Sequence, residues 1–387
     1  MVDIKAEELE DIPVGDLSSA LDGKLAGVKI SSSTGKPGEA SILTIRTESS
    51  YGRVTEDVLY VIDGVISDAA TFNLLDASEV ESISVLKDAA AAIYGARSAG
   101  GVVLVKTKRG REGKPIFQYS GSYGVAQATK FPEMLSGAEL ATMYNDMLDI
   151  YKKYDRVQPS DYFTDDEIAY FDSIPGYSWL DQLIKPATTE KHVLNISGGG
   201  ERVNYFVGGS FYKEKGMIDM LNYSRYTLRS NIEAKITKNL TANLGLNYAY
   251  HDKLEPNFST DNSGVLREIY KQALTAAPWI PLSIDGKPVN NYVSSNPLAL
   301  LQSGSYKNSK GNNMGIRAEV QYQIPFIKGL VFGFQYSRDE ENARGKEYAQ
   351  NYTSYEFPTT GSHRHIIVDT LPPRSSTVYD NEEGLYE

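Results

Sequence analysis

Between Pro115 and Tyr336 apolar residues recur at every second position, in runs longer than ordinary strands. Tyr226, Leu228, Ile232, Ala234 and Ile236 alternate with Arg225, Thr227, Arg229, Asn231, Glu233 and Lys235. A period of two puts successive side chains on opposite faces, so each such strand has one apolar and one polar side. The pattern repeats with Phe117, Tyr119, Tyr123 and Val125; with Val203, Tyr205, Val207 and Phe211; and with Leu240, Ala242, Leu244, Leu246, Tyr248 and Tyr250. It returns at Ile316, Ala318, Val320, Tyr322 and Ile324, and at Leu330, Phe332, Phe334 and Tyr336. With a less regular strand near His192 to Ser197, these make about seven, several reaching the roughly 9–11 residues that a tilted membrane strand requires.

The connections separate a sandwich from a membrane barrel. Short turns at Gly198–Arg202, Thr237–Asn239 and Pro325–Gly329 alternate with longer segments at Thr129–Thr189, Lys213–Asn222 and Asp252–Gly311. Outer-membrane barrels have this parity, with short periplasmic turns and long extracellular loops. No run of about 18 apolar residues is present, so no transmembrane helix is expected, which leaves barrel strands open.

The first hundred or so residues read differently. Asp16–Leu25 predicts a short helix with Leu17, Leu21 and Leu25 on one face. Ser41–Thr47 and Val58–Ile62 predict strands, the second ending in an Asp63-Gly64 turn. Asp76 and Glu79 form a capping-box pattern, Ser82–Leu86 a strand, Asp88 a cap for Ala89–Tyr94, Gly95 a left-handed stop, and Gly101–Lys108 a further strand. This small mixed α/β unit ends near Lys114. The Gly95–Gly100 spacing invites a phosphate-loop reading, but Gly101 and Val102 follow where Lys and Ser/Thr would have to reach phosphate and magnesium.

A net charge of −11 argues against a nucleic-acid partner. Without Cys there is no disulfide or thiolate metal site. No nucleophile elbow or His-Glu zinc helix occurs, so no catalytic residue is assigned and no cofactor is expected. The N-terminal MVDIKAEELEDIPVG lacks the basic and apolar segments of a signal peptide. Tyr occurs 27 times, which suits interfacial girdles as well as sugar- or peptide-contacting surfaces.

In the first long loop, Ser136 with Glu139 and Thr164 with Glu167 predict capped helices, the first carrying a core-type stripe of Leu140, Tyr144, Met147, Leu148 and Tyr151. His363 and His365 share a face if extended, but two imidazoles make an incomplete zinc set. Asp161, Asp165, Asp166 and Glu167 match no calcium-loop spacing and read as a helix start. No metal is assigned.

The segments LDGKLAGVKI (Leu21–Ile30), YVIDGV (Tyr60–Val65) and ESISVLKDAAAAIYGARSAGGVVLVKTKRG (Glu81–Gly110) resemble the plug domain of SusC/RagA-type TonB-dependent outer-membrane transporters. GYSWLDQLIKPATTEKHVLNISGG (Gly176–Gly199) and NYFVGGSFYKEKGMI (Asn204–Ile218) resemble that family's first barrel strands. Thr47 follows Ile45-Arg46 where the family usually has Gly. The resemblance marks Asp63, Gly64, Lys87, Asp88, Tyr94, Gly95, Gly100 and Gly101 as plug-motif positions. It implies an α+β plug, residues 1–114, followed by an antiparallel transmembrane barrel portion of seven or eight strands, residues 115–387, in the cell outer membrane. The implied activity is import of glycans or peptides with a SusD-like surface lipoprotein and the TonB complex, whose binding segment would precede this chain.

Within such a fold Arg46 and Arg97 are candidates for docking the plug, through wall carboxylates such as Glu233 or Glu319; pairing within the unit, to Asp88 or Glu81, is the alternative. A plug of this size needs a lumen like that of 22-stranded transporters. Seven strands with no closing strand cannot enclose it, so the chain is expected to be a piece of a longer transporter. The competing expectation is a soluble or surface carbohydrate-binding β-protein, whose apolar faces would be buried against a second sheet.

Overall fold

The computed structural model describes residues 2–5, 8–9, 12, 14–32, 34–45, 58–87, 90–153, 157–257, 265–290, 296–327, 329–378 and 384–386. In the N-terminal unit the elements run β1 (Val2–Lys5), α1 (Leu17–Ala20), β2 (Lys29–Ser31), β3 (Ile42–Thr44), β4 (Leu59–Ile62), β5 (Val65–Ser67), α2 (Ala69–Leu74), β6 (Val80–Leu86) and β7 (Val102–Thr107). Five strands form one sheet in the order β1-β6-β7-β4-β5, with β4 parallel to β7 and the other pairs antiparallel. Asp16 caps α1 by accepting from the Ser19 amide at 2.8 Å. The helix is shorter than Asp16–Leu25, yet Leu17, Leu21 and Leu25 still bury into one core with Phe72, Ile83, Val85, Val103 and Val105. Each such side chain contributes about 1.5–3 kcal/mol on full burial.

Two local expectations are revised. Asp76 does cap, accepting from the Ser78 amide at 3.0 Å, but the element is a single 3-10 turn, Ala77–Glu79, and Glu79 takes partners elsewhere. Gly95 has φ 78° with ψ −163°, outside the left-handed helical region and in territory that is essentially glycine-only.

A second sheet carries the alternating sequence: β8 (Gly113–Ala126), β9 (Ala187–Gly199), β10 (Val203–Lys215), β11 (Asn222–Lys235) and β12 (Leu240–Pro256). A two-residue hairpin, β13 (Ser283–Ile284) with β14 (Lys287–Pro288), precedes β15 (Tyr306–Gln323) and β16 (Val331–Ala349). The seven long strands pair antiparallel with their sequence neighbours throughout. Gly384–Tyr386 adds a short eighth strand beside Glu347–Ala349. It lies at the opposite edge from β8, and the sheet is open.

The faces of this sheet are inverted relative to a soluble protein. Phe117, Tyr226, Leu228 and Phe334 stand on the outer face at 71%, 49%, 55% and 60% exposure. The inner face buries Lys191, Asn195, Arg225, Thr227 and Arg229. No second sheet covers the apolar side among the described residues, which is the arrangement of a wall against lipid and not of a sandwich.

Long connections gather at one end of the wall. Trp179, Leu183, Ile218, Leu221, Ile269, Leu282, Leu300 and Tyr352, drawn from four of them, form a single buried cluster. The expected core stripe of the helix Gly137–Tyr151 is only partly covered, because Tyr144, Met147 and Tyr151 remain 36–50% exposed while Ala141 is the residue that packs.

Candidate functional site

Four consecutive inward positions of β11 each hold the N-terminal unit. Arg225 donates from a terminal guanidinium nitrogen to the backbone oxygens of Gly15 at 2.6 Å and Asn73 at 3.0 Å. Thr227 donates to Glu79 Oε1 at 2.7 Å, and Arg229 donates from Nε to Glu79 Oε2 at 2.9 Å. Asn231 donates to Thr107 Oγ1 at 3.0 Å and to the Lys108 carbonyl at 2.7 Å. Strand alternation puts 225, 227, 229 and 231 on one face, so the strand is a rail along which the unit is laid.

Neighbouring strands add to the rail. Lys191 of β9 reaches Asp76 Oδ2 at 3.0 Å, with Arg225 3.8 Å from the same oxygen, and Asn195 donates to the Ser78 carbonyl at 3.4 Å. Arg317 of β15 pairs with Asp63 Oδ2 at 3.1 Å. Asp63 is held in its turn at φ 48°, where its carboxylate also accepts from the Thr107 amide and hydroxyl at 2.9 and 2.7 Å. Burial works to raise the Asp76 carboxyl, but the Lys191 and Arg225 charges, with the hydrogen bonds from Ser78, hold it below the usual carboxylate range. At these stations the interface places acids on the N-terminal unit and bases on the wall; at its loop end the polarity reverses, with Lys36 of the unit 3.4 Å from Glu255 of β12.

That polarity is opposite to the docking expected of Arg46 and Arg97. Arg97 is exposed and has no ion-pair partner among the described residues, and Arg46 and Asp88 lie outside those residues. Glu233 and Glu319 accept instead from Asn204 and Asn243 on the wall itself, and Glu81 pairs with Arg111. Of the motif positions, Asp63 is both turn and docking residue, and Gly64 follows it at φ 84°. Lys87 donates to the Ala26 carbonyl, tying β6 to the turn after α1. Tyr94 packs on the cluster of Leu59, Val61, Leu86, Ala91 and Val102. Gly100 is buried, and at Gly101, with φ 97°, a Cβ would stand 2.7 Å from Ile45 Cδ1. The missed residues, Arg225, Thr227, Arg229 and Asn231, stand on the polar face that the alternation identifies. The available signal was an Arg-x-Thr-x-Arg-x-Asn face on a strand whose polar side has to meet another unit.

At the loop end of this interface lies a cavity of about 390 Å³, lined by Asp16, Glu39, Tyr212, Glu214, Tyr223 and His251 among others. Farther out, Glu167 accepts from the backbone amides of His363 and His365 at 2.9 and 3.1 Å and from His365 Nδ1 at 2.8 Å. The two imidazoles and the acidic helix start are therefore one loop-to-loop clasp. Among the described residues no group of three or more His, Asp or Glu side chains is placed to hold a metal ion.

The TonB-dependent Receptor Plug Domain family matches residues 1–102. TonB-dependent receptor P26 of Formosa agariphila is 28% identical over 324 residues, covering 81% of this chain and 30% of that protein. TonB-dependent receptor SusC of Bacteroides thetaiotaomicron is 29% identical over 357 residues, covering 84% of this chain and 34% of that protein. The chain thus spans about a third of the length of the curated relatives it matches. The RagAB peptide importer in its open-open state superposes with a TM-score of 0.73 at 23% identity, over 93% of this chain and 42% of that one, a likeness of fold. A plug-type α/β unit laid on a wall with lipid-type outer and polar inner faces, together with these relatives, makes the chain similar to the SusC/RagA-type TonB-dependent outer-membrane receptors.

Proposed function

We propose that the chain supplies the plug, residues 1–114, and the first part of the barrel wall, residues 115–387, of an importer that carries glycans or peptides across the outer membrane. Segments 129–189 and 252–311 are extracellular loops in this reading, and a SusD-like lipoprotein and the TonB complex are the partners. The work is ligand capture followed by plug rearrangement, without covalent chemistry.

The β11 rail carries the reading. A buried ion pair roughly balances desolvation against attraction, so it fixes position with little net adhesion, whereas stranding either partner costs about 3–5 kcal/mol. A plug held in this way stays in register while seated, and it leaves without tearing a hydrophobic core. The outward apolar face supports the membrane setting over a soluble binder.

In cells expressing the full-length receptor, Arg225→Gln with Arg229→Gln loosens the plug and raises entry of a large antibiotic normally excluded by the outer membrane. Unchanged exclusion, with normal receptor abundance, contradicts docking by this rail.

A further inference from the structure

The register of the wall places its inward bases in a descending series. Lys191, Tyr212, Arg225 and His251 share one level across β9 to β12. Arg229 stands four residues nearer the turn end on β11, and Arg317 is level with Asn231 through Gly245. The series covers six residues of strand, about 20 Å. Over the four levels from Arg225 to Asn231, no carboxylate faces inward on β9 to β12 or β15. The inward acids lie above and below, at Glu214, Glu233, Glu255 and Glu319, or on β16, at Asp339, Glu341 and Glu347.

Docking alone does not require the bases to be on the wall; the reverse assignment would hold the plug equally well. The difference appears when the plug moves. Its acids, Asp63, Asp76 and Glu79, go with it, and the four bases stay in the lumen without those partners, Asp339 and Glu341 of β16 remaining at the Arg229 and Thr227 levels. Arg225 is already under-satisfied, since its buried Nε has no partner among the described residues. We infer that Lys191, Arg225, Arg229 and Arg317 form a cationic ladder that takes carboxylate groups of the cargo in place of the plug's carboxylates, so that anionic oligomers are the preferred substrate class. The inference rests on the plug-docking reading above. The guanidinium forks of Arg225, Arg229 and Arg317 and the ammonium of Lys191 suit carboxylates, and a low-dielectric wall concentrates the field.

The test uses the full-length receptor in planar lipid bilayers. Asp63→Asn, Asp76→Asn and Glu79→Gln together release the plug and open a channel whose reversal potential in a KCl gradient shows anion preference. Adding Lys191→Gln, Arg225→Gln, Arg229→Gln and Arg317→Gln lowers chloride permeability relative to potassium several-fold. Arg229→Gln alone gives a smaller fall and Arg229→Lys none, with heat-shifted gel migration verifying a folded barrel. Trigalacturonate and triglutamate block the first channel, and whichever acts at lower concentration identifies a uronate glycan or an acidic peptide as the source of the carboxylates; maltotriose does not block. Absence of openings refutes the docking reading itself. Openings whose reversal potential ignores the wall variants, or that maltotriose blocks equally well, overturn the ladder alone.

Discussion

Arg229 of the wall donates from Nε to Oε2 of Glu79 across 2.9 Å, with side chains 9% and 2% exposed. The second Glu79 oxygen accepts from Thr227, and Thr227 shares a 2.7 Å hydrogen bond with Ser210 on the next strand. One carboxylate from a 3-10 turn of the plug is thus satisfied by two alternate residues of a single strand. A one-residue slip of β11 would turn both toward lipid and expose Leu228 to the plug. The pair therefore depends on wall register, and it fixes plug position.

The outer face gives the first expectation. Leu228, at 55% exposure, points away from the plug. Leu228→Arg in the full-length receptor lowers the unfolding free energy in lipid by about 2–4 kcal/mol, as for a basic residue near the bilayer midplane. A change within about ±0.5 kcal/mol, the usual result at a water-exposed surface site, contradicts the membrane assignment.

Asp76 sets a pH dependence. Its carboxyl is held below the ordinary value in the folded state, so its stabilising contribution is complete above the unfolded pKa of about 3.9 and is lost as pH falls through the folded value. Amide exchange of the plug in wild type therefore accelerates on acidification below about pH 4. Asp76→Asn exchanges faster at neutral pH and loses the part of the acid dependence due to this carboxyl; an acid profile identical to wild type counts against the pair.

The outer clasp behaves in the same direction. Burial favours the neutral form of Glu167, but hydrogen bonds from His365, Thr164 and His363 outweigh it and lower its pKa. Its contribution is present above the unfolded carboxylate value, about 4.3, and disappears as pH drops through the folded one. Glu167→Ala leaves the His363 and His365 amides without that acceptor, at about 1–3 kcal/mol. Limited proteolysis within residues 359–367 should quicken; equal cleavage rates in variant and wild type contradict the clasp.

The long strands, their faces and the order of short and long connections were legible in the sequence because a period of two leaves an unambiguous trace over 13–19 residues. So were the plug core positions Leu17, Leu21 and Leu25, although the helix beneath them is short. The docking partners were not. Alternation places Arg225 and Arg229 on the polar face, but which opposing side chains meet them depends on where a separate unit rests. Asp76 and Glu79 matched a capping box so well that local hydrogen bonding explained them completely. In the structure only Asp76 performs that local task, while Glu79 crosses to the wall, a long-range preference no short window contains.

The most direct test of the account is a charge-swap cycle across the interface. In the full-length receptor, Glu79→Arg and Arg229→Glu singly strand buried charge, and each should lower plug stability by about 3–5 kcal/mol, read from amide exchange of Val80–Leu86. The double variant, with the charges exchanged, should recover a substantial part of that loss, giving a coupling energy above about 1 kcal/mol. Single losses that simply add in the double variant would contradict the claim that this pair seats the plug on its wall.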